Sequence, residues 1–270
     1  MPPTGDSFIT LNLPPSFTLP DCMEYFSFTA GPNTNLWRKP PTGDIATAPI
    51  IFTSLRGPFT LAEVTVSADW EMEWDQGGLV IFTGPTPEAL PLSSSSPSSN
   101  RQRTPHMRIL SRLQQQNPRA CKWVKAGMEF SSGAVQASSV SATADGADWC
   151  LSPLNLGQQP ADQANSSSTT PASTSTSTTA HSLRIKLERI GYSLWVWYQV
   201  PSVSPHALTP GEVMRSWKKL REVTWFFYGV ENKFVHVGVY ASRPNRATTT
   251  WFGAAGDDGL EVEFEDLEIF

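Results

Sequence analysis

The sequence predicts an all-β protein, built as a two-sheet antiparallel sandwich or jelly roll. Three observations lead to this fold class. Short runs that alternate apolar and polar residues recur along the chain, Gly- and Pro-containing segments separate them, and helical periodicity is not sustained. Many short strands joined by turns and polar loops are typical of sandwiches and jelly rolls. The chain shows no internal repeat of fixed period, which argues against a propeller.

Alternating segments mark the clearest strands. In "FTLAEVTVSADWEMEW" (59–74), one predicted face carries Ala62, Val64, Val66, Ala68 and Trp70. The run "SLRIKLERIGYSLWVWYQV" (182–200) predicts a hairpin that turns at Gly191. Further strands are predicted at 77–84, 106–113, 122–130, 223–229, 234–242 and 260–270.

Two Ser/Thr-rich segments interrupt the predicted strands, near 91–104 and 157–182. Their composition lacks the apolar residues that a core needs, so we expect disordered loop insertions within a single domain of residues 1–270. Such insertions add little loop-closure entropy. Segment 211–223 has apolar residues at fair helical spacing and is predicted to be either a single helix or a loop.

Composition and charge argue against several classes of partner. A formal net charge of −5 without a basic cluster argues against nucleic acid. No apolar run is long enough to cross a membrane, and the N-terminus has no features of a secretory signal, so we expect a cytoplasmic protein. The three cysteines, Cys22, Cys121 and Cys150, are expected to be reduced thiols. No ligand spacing or phosphate-binding loop indicates a metal or a cofactor.

The stretch "KWVKAGMEF" (122–130) alternates like a strand with two distinct faces. One face is mostly apolar and is expected to pack between the sheets: Lys122, Val124, Ala126, Met128 and Phe130. The other carries Trp123, Lys125, Gly127 and Glu129. At a rise of about 3.3 Å per residue, Lys125 and Glu129 lie too far apart to pair, and Gly127 is expected to leave open space between them. This second face is either the floor of a ligand pocket or a solvated surface with cross-strand ion pairs.

Aromatic and polar residues in other predicted strands extend the candidate site. The candidate ligand-binding residues are Asp75, Gln76, Trp123, Lys125, Glu129, Trp149, Trp195, Trp197 and Tyr240. Aromatic rings stack on the C–H faces of a sugar, while carboxylates and amides bind its hydroxyls. The set therefore suits a carbohydrate-like or other small, polyhydroxylated ligand.

Catalytic chemistry has less support in the sequence. The run "EMEWDQGG" (71–78) places Glu73 and Asp75 at the first two positions of the Glu-x-Asp-x-x-Glu pattern of jelly-roll glycosidases, but Gly78 takes the third. Without a second catalytic carboxylate, the acid–nucleophile pair of a glycan hydrolase is incomplete. A lone His236 within "FVHVGVY" is expected to be a hydrogen-bonded strand residue rather than a metal ligand.

Five sequence blocks follow one another in a definite order: Trp74 to Leu79, Trp123 to Glu129, Ala147 to Trp149, Leu183 to Ile185, and Val237 to Pro244. This order resembles the family of the yeast regulation-of-enolase protein, a widespread domain of unknown function. The resemblance covers about residues 10 to 270, and the Pro-rich segment 201–214 and the two insertions depart from it. It implies a concanavalin A-like jelly roll of the lectin/glucanase type and a regulatory role. A fold alone does not fix a function.

Three functions from different classes fit these observations. The first is a non-catalytic cytoplasmic protein that binds a carbohydrate-like or other small ligand, or a metabolic enzyme, and regulates metabolism. The second is a small-molecule enzyme, an isomerase, cyclase or lyase of a metabolic or biosynthetic pathway. In that enzyme Glu129 or Asp148 acts as acid/base and Lys125 positions an anion. The third and least supported is a glycan hydrolase.

Overall fold

A computed structural model describes residues 3–40, 43–84, 121–154, 181–200, 216–230, 233–245 and 259–270. These residues form fifteen β-strands and one 3-10 turn, Gly5–Ser7. Two large antiparallel sheets pack face to face, and a small hairpin covers the outer face of one of them. The protein is an all-β jelly-roll sandwich, as the sequence predicts.

The larger sheet has seven strands. They are β1 (Phe8–Leu11), β5 (Ile50–Leu55), β7 (Gln76–Thr83), β8 (Lys122–Ser131), β9 (Ala134–Thr143), β10 (Gly146–Pro153) and β14 (Val235–Ser242). Their order across the sheet is β1, β5, β14, β7, β8, β9, β10, and every pairing is antiparallel. Strands β7 and β14 are buried along their whole length, so this sheet is covered on both faces.

The smaller sheet has six strands. They are β2 (Tyr25–Ala30), β6 (Leu61–Ala68), β11 (Ser182–Ile190), β12 (Ser193–Gln199), β13 (Lys218–Val223) and β15 (Leu260–Ile269), in the order β13, β12, β11, β6, β15, β2. Strands β11 and β12 form the predicted hairpin, and Gly191 turns it with a φ of 63°. Buried and partly exposed residues alternate along β11 and β12, so one face of the sheet contacts the core and the other faces solvent.

The main core fills the space between the two sheets. From the larger sheet it takes Val124, Ala126 and Met128, the face of 122–130 that the sequence assigns to the core. From the smaller sheet it takes Ala62, Val64 and Val66, which are fully buried. Burying such aliphatic side chains stabilises a fold by roughly 1.5–3 kcal/mol each, so these strands hold the two sheets together.

A second core lies on the opposite face of the larger sheet. The hairpin of β3 (Leu36–Lys39) and β4 (Gly43–Ala46) packs there, with Leu36 and Ala46 against Phe52, Phe82 and Trp123. Arg38 ties the hairpin to the sheet. Its guanidinium forms a two-bond ion pair with Asp44, at 2.5 and 2.7 Å, and donates to the carbonyl oxygens of Cys121 and Thr143. A buried cation is tolerable because each of these contacts offsets its desolvation.

The second face of 122–130 is therefore not the solvated surface that was one of the two predicted alternatives. Trp123 is fully buried in the second core, and Lys125 is 1% exposed. No strand is predicted before residue 59, so the covering hairpin is not among the predicted elements. A face that a distant hairpin covers cannot be recognised from the alternation of its own strand.

Two predicted elements are wrong. Of the strand predicted at 223–229, only Val223 is in a strand, as the end of β13; residues 224–229 form turns, because the consecutive residues Phe226 and Phe227 are both buried in the main core. Consecutive residues in a strand point to opposite faces, so a turn is needed to bury both. Residues 218–223, part of the segment predicted as a helix or loop, form the edge strand β13.

Some predictions fall outside the described residues. These are the insertion near 91–104, the strand at 106–113, residues 157–180 of the second insertion, and residues 211–215. The remaining strands predicted at 234–242 and 260–270 correspond to β14 and β15.

Candidate functional site

A pocket of about 280 Å³ lies on the hairpin side of the larger sheet. Its walls come from five strands and three loops: Asn35, Trp37, Trp74, Gln76, Glu129, Val140, Trp149 and Pro244. Three tryptophans, one carboxylate and two amides thus face a small space. Mostly apolar walls with a few convergent polar groups are typical of small-molecule sites.

Strand register brings the floor of this pocket together. Gln76 is opposite Glu129 in the β7–β8 ladder, and Val140 is opposite both Lys125 in β8 and Trp149 in β10. Residues at alternate positions of a strand share a face, so Lys125 and Glu129 project to the same side of the sheet. The order of strands therefore places side chains from four neighbouring strands beside one another.

Glu129 is the central polar group of the pocket. It is 1% exposed, and its Oε2 accepts hydrogen bonds from Ser138 Oγ at 2.5 Å and from Trp149 Nε1 at 3.2 Å. Its Oε1 has no hydrogen-bond partner among the described residues. Burial raises the pKa of Glu129, while the Ser138 hydrogen bond acts in the opposite direction. One carboxylate oxygen is thus fixed by two hydrogen bonds, and the other has none from the described residues.

Lys125 lies beneath the pocket rather than in its wall. Its Nζ donates to Gln76 Oε1 at 2.6 Å and lies 5.3 Å from the centre of the Tyr240 ring. Burial lowers the pKa of Lys125 to about 7, and the nearby Glu129 carboxylate opposes that shift. The amide oxygen of Gln76 accepts this hydrogen bond from Lys125. The amide nitrogen of Gln76 remains available as a donor.

Trp74 enters the pocket from a loop with an unusual backbone. Its φ is 70°, in the left-handed region that bulky residues rarely adopt. Backbone hydrogen bonds from Trp74 N to Phe130 O, at 2.7 Å, and from Phe130 N to Asp75 O, at 2.9 Å, hold the loop against β8. Strained residues of this kind often occur at binding sites, where the surrounding structure over-determines them.

Asp75, a predicted ligand residue, supports this loop and does not line the pocket. It is fully buried, forms a two-bond ion pair with Arg243 at 2.7 and 2.9 Å, and accepts the backbone N–H of Met72 at 3.0 Å. With its hydrogen-bonding capacity used in this way, Asp75 fixes the backbone that presents Trp74 and Gln76.

The structure separates the other predicted site residues. Gln76, Glu129 and Trp149 line the pocket; Trp123 and Tyr240 belong to the second core. Trp195 and Trp197 lie on the solvent side of β12 in the other sheet, stacked on each other and flanked by Lys219 and Lys186. Asp148 pairs with Arg221 at 2.5 Å and is largely exposed. The single site that the sequence suggests is therefore divided among three places.

The expected open space at Gly127 is also wrong. A Cβ on Gly127 would lie 1.8 Å from the carbonyl oxygen of Gly77, and a Cβ on Gly78 would lie 2.1 Å from that of Ala126. Gly127 and Gly78 are register partners in the β7–β8 ladder. The glycines allow two backbones to approach closely, which is the other common reason for glycine in a strand.

The acidic run at 71–78 does not form a glycosidase site. Glu73 accepts hydrogen bonds from Ser131 Oγ and from the backbone N–H of Ser132, and Asp75 is paired with Arg243. Neither residue lines the pocket. His236 is a buried strand residue whose two ring nitrogens contact Ser54 Oγ at 2.8 Å and Gly84 O at 3.3 Å, as predicted.

Five pocket residues were not among the predicted ones: Asn35, Trp37, Trp74, Val140 and Pro244. Trp74 directly precedes the candidates Asp75 and Gln76, so its sequence position was a usable signal. Asn35 and Trp37 belong to the hairpin segment, and no local pattern connects them with β8. Asn35 and Trp37 line the pocket because the hairpin segment packs against strands that lie far from it in the sequence.

The described residues contain three cysteines. Cys22, Cys121 and Cys150 are all free thiols, in agreement with the prediction. Within the described residues, no group of three or more His, Cys, Asp or Glu side chains is arranged to hold a metal ion. The same residues contain no helix with the length and apolar character needed to cross a bilayer.

Comparison with known proteins gives a family and structural relatives. The chain is 29% identical over 245 residues to the uncharacterised protein AN7484 of Emericella nidulans, covering 90% of this chain and 85% of that one. It is also similar to a functionally unknown protein from Saccharomyces cerevisiae, whose crystal structure matches with a TM-score of 0.59 and 16% identity over 99% of this chain and 98% of the other.

The family match covers more than half of the chain. Residues 11–165 match the model of a family described as proteins of unknown function, DUF1349. This range includes the hairpin, β7 and β8, and all pocket residues except Pro244. The predicted membership in a jelly-roll family of unknown function is confirmed, and the finer link to enolase regulation stays a prediction. The chain belongs to the DUF1349 family.

Proposed function

We propose that this protein is a non-catalytic binding protein whose pocket takes a small, carbohydrate-like ligand and that it has a regulatory role in metabolism. The observation that carries the proposal is the buried carboxylate of Glu129, with one oxygen open, among three tryptophans. An acceptor that lacks a protein partner and faces a pocket can take a hydrogen bond from a ligand or from water there. Its presence in a pocket wall therefore points to binding.

The walls match the two kinds of contact that a sugar makes. The indole rings of Trp37, Trp74 and Trp149 provide apolar surfaces for C–H faces. Glu129 Oε1 accepts hydrogen bonds, and the Gln76 amide nitrogen donates them. Asn35 offers a second amide. These polar groups fix the orientation of a ligand whose ring lies against tryptophan.

The arrangement favours binding over hydrolysis. Glu129 is the one carboxylate among the pocket-lining residues that the structure describes, whereas glycoside hydrolysis needs two carboxyl groups about 5–10 Å apart across the bond. Lys125 is held by Gln76 below the floor, so it does not reach a ligand as an anion-positioning group. We therefore place hydrolysis last among the candidate functions.

Regulation of a metabolic enzyme is the finer part of the proposal. It rests on the ordered sequence blocks that resemble the regulation-of-enolase family. A ligand that occupied the pocket would contact Asn35 and Trp37 at the hairpin as well as residues of the sheet. Ligand binding would therefore link the hairpin to the sheet. Co-purification of the tagged protein with a glycolytic enzyme, with and without ligand, tests this part directly.

A second candidate function is proton transfer to a small molecule by an isomerase, cyclase or lyase. The observation that favours it is the raised pKa of Glu129, a buried carboxyl group in the pocket wall. General acids and bases work best when their pKa lies near the working pH. Asp148, the other predicted acid/base, is paired with Arg221 away from the pocket and takes no part in this alternative.

Binding of a panel of monosaccharides and disaccharides tests the first proposal. We expect at least one sugar to raise the melting temperature and to change tryptophan fluorescence, because a ligand of the native state stabilises it. Glu129→Gln and Trp149→Ala should abolish both responses. Trp195→Ala is the matched control, since it removes a tryptophan from the other sheet. A response that Trp195→Ala removes and Glu129→Gln retains would contradict the pocket assignment.

A further inference from the structure

We infer that the ligand of this pocket is a small organic cation, whose protonated or alkylated ammonium group lies at Glu129 Oε1 between the tryptophan rings. This inference rests on the proposed function, because it assumes that the pocket binds a small molecule. It adds the charge of the ligand, which neither the sequence blocks nor the family description assigns.

The charges around the pocket are the first support. Glu129 is the one ionisable side chain in the described pocket wall. Two of the described cations near the pocket are paired with other carboxylates, Arg243 with Asp75 and Arg221 with Asp148, and Lys125 lies below the wall, where it donates to Gln76 and attracts the Glu129 carboxylate. The wall therefore carries a negative charge that no wall residue neutralises. A positively charged ligand would complete the site in the way that a buried ion pair requires.

The hydrogen bonds of Glu129 are the second support. Its Oε2 already receives Ser138 Oγ and Trp149 Nε1, which hold the carboxylate in one orientation. Its Oε1 has no partner within the described part of the chain, although the side chain is 1% exposed. A neutral hydroxyl would satisfy the hydrogen bond but would leave the buried charge uncompensated. An ammonium group supplies both a hydrogen-bond donor and a compensating positive charge.

The aromatic walls are the third support. Trp37, Trp74 and Trp149 surround the same space as Glu129. Indole has the most favourable ring face for a cation, and cages of aromatic rings recognise alkylated ammonium groups. Five of the eight lining residues are apolar. Such walls can contact the hydrocarbon body of a compact cation or the ring of an amino sugar.

Lys125 adds a pH dependence to cation binding. It lies on the same strand as Glu129, below Gln76 of β7 and Tyr240 of β14. Burial lowers its pKa to about 7, so it loses its proton between mildly acidic and mildly basic pH. A neutral Lys125 repels a bound cation less. Affinity for a permanent cation should therefore rise from pH 6 to pH 8.

Matched pairs of ligands that differ only in charge test the inference on the full chain. One pair is choline and its uncharged analogue in which carbon replaces the nitrogen. The other is glucosamine and glucose. Dissociation constants come from titration calorimetry and tryptophan fluorescence at pH 8. We expect the charged member of at least one pair to bind about tenfold or more tightly than its partner.

Two variants distinguish charge recognition from simple filling of the pocket. Glu129→Gln should weaken the charged member of a pair about tenfold or more beyond any loss for the neutral member. Trp74→Ala provides a second variant with an intact carboxylate, and it should also weaken the charged ligand because one ring of the cage is gone. Trp195→Ala should leave all affinities unchanged.

The outcomes separate this inference from the proposed function. Equal binding of charged and neutral members, with loss of both in Trp149→Ala, would overturn the cation and keep the small-molecule pocket. Charge-selective binding that survives Glu129→Gln would also overturn the assignment of the ammonium group to Oε1. Binding of no member of either pair, together with no response to the sugar panel, would refute both proposals.

Discussion

Trp74 shows at the scale of one residue how the pocket departs from relaxed local structure. A non-glycine residue with a φ of 70° is unfavourable by roughly 1–2 kcal/mol, because its Cβ crowds the backbone. The side chain is 44% exposed, so burial of the ring does not fully explain why tryptophan is present. Its place in the pocket wall gives a functional reason for keeping it there.

Replacing Trp74 by glycine and by alanine separates backbone strain from ring contacts. Both variants lose the indole, but glycine adopts a positive φ without strain. We expect Trp74→Gly to be about 1 kcal/mol more stable than Trp74→Ala in urea unfolding, while both bind ligand weakly. Equal stabilities would mean that the loop relaxes to an ordinary backbone in the variants.

Lys125 allows a prediction of how stability depends on pH. Because its pKa falls from 10.5 to about 7 on burial, the unfolded chain binds this proton above pH 7 and the native chain does not. Stability should therefore rise with pH above about 7, by up to about 1.4 kcal/mol per pH unit. Glu129 and Tyr240 are the titratable groups that face Lys125.

Lys125→Met removes the pH-dependent effect of Lys125 on stability and keeps a long side chain. Unfolding free energies measured in urea between pH 7 and pH 8.5 should rise with pH for the natural protein relative to the variant. The natural protein should also be the less stable of the two at pH 6, where its buried lysine is charged. Parallel pH profiles would show that Lys125 keeps an ordinary pKa.

At the scale of elements, β7 and β8 approach each other through glycine. Gly78 and Gly127 are register partners, and the adjacent residues Gln76 and Glu129 form the floor of the pocket. Any side chain at Gly127 would meet the backbone of the neighbouring strand, not open space. The glycines therefore set the local shape of the sheet beneath the pocket.

Alanine at Gly127 should be strongly destabilising. The added Cβ would lie 1.8 Å from Gly77 O, and relief requires the two strands to move apart. We expect a loss of about 3 kcal/mol or more, or failure to fold, measured by thermal and urea unfolding. Gly31→Ala is the control, because nothing lies within 4 Å of its Cβ, and it should be nearly neutral. A mild effect at Gly127 would contradict the close packing of β7 and β8.

At the scale of the whole molecule, the two cores on opposite faces of the larger sheet determine which side chains are exposed to solvent. The three cysteines differ in their exposure for this reason. Cys22 is exposed, Cys150 is partly buried, and Cys121 is 1% exposed beside the hairpin. Burial raises the pKa of Cys121 to about 12, so its reactive thiolate is scarce at neutral pH.

Alkylation of the native protein should follow that order. Iodoacetamide at pH 8 should modify Cys22 first, Cys150 more slowly, and Cys121 only when the protein unfolds. Peptide mass spectrometry over a time course measures each site separately. Rapid labelling of Cys121 would indicate that the β3–β4 hairpin leaves the sheet readily, and a disulfide between any two of the three would contradict the prediction of free thiols.

Much of the fold could be predicted from local patterns. Alternation identified β6, β7, β8, β11, β12, β14 and β15, and Gly191 marked the hairpin turn, because side-chain direction in a strand is a local property. It failed at Phe226 and Phe227, where both neighbours are buried in a turn. Of the predicted site residues, Gln76, Glu129 and Trp149 lie at the pocket, since Gln76 and Glu129 belong to paired strands.

The sequence by itself determined seven of the strands, the all-β class and the polar pair at the pocket floor, because these depend on residue spacing within single strands. Only the tertiary structure decided that Trp123 and Tyr240 are core, that Asp75 supports a loop, and that Trp37 and Asn35 form a wall. Each of these depends on contacts between residues far apart in the chain, such as the hairpin against β8. The environment of a side chain is set by what packs over it, and the spacing of its own strand does not contain that information.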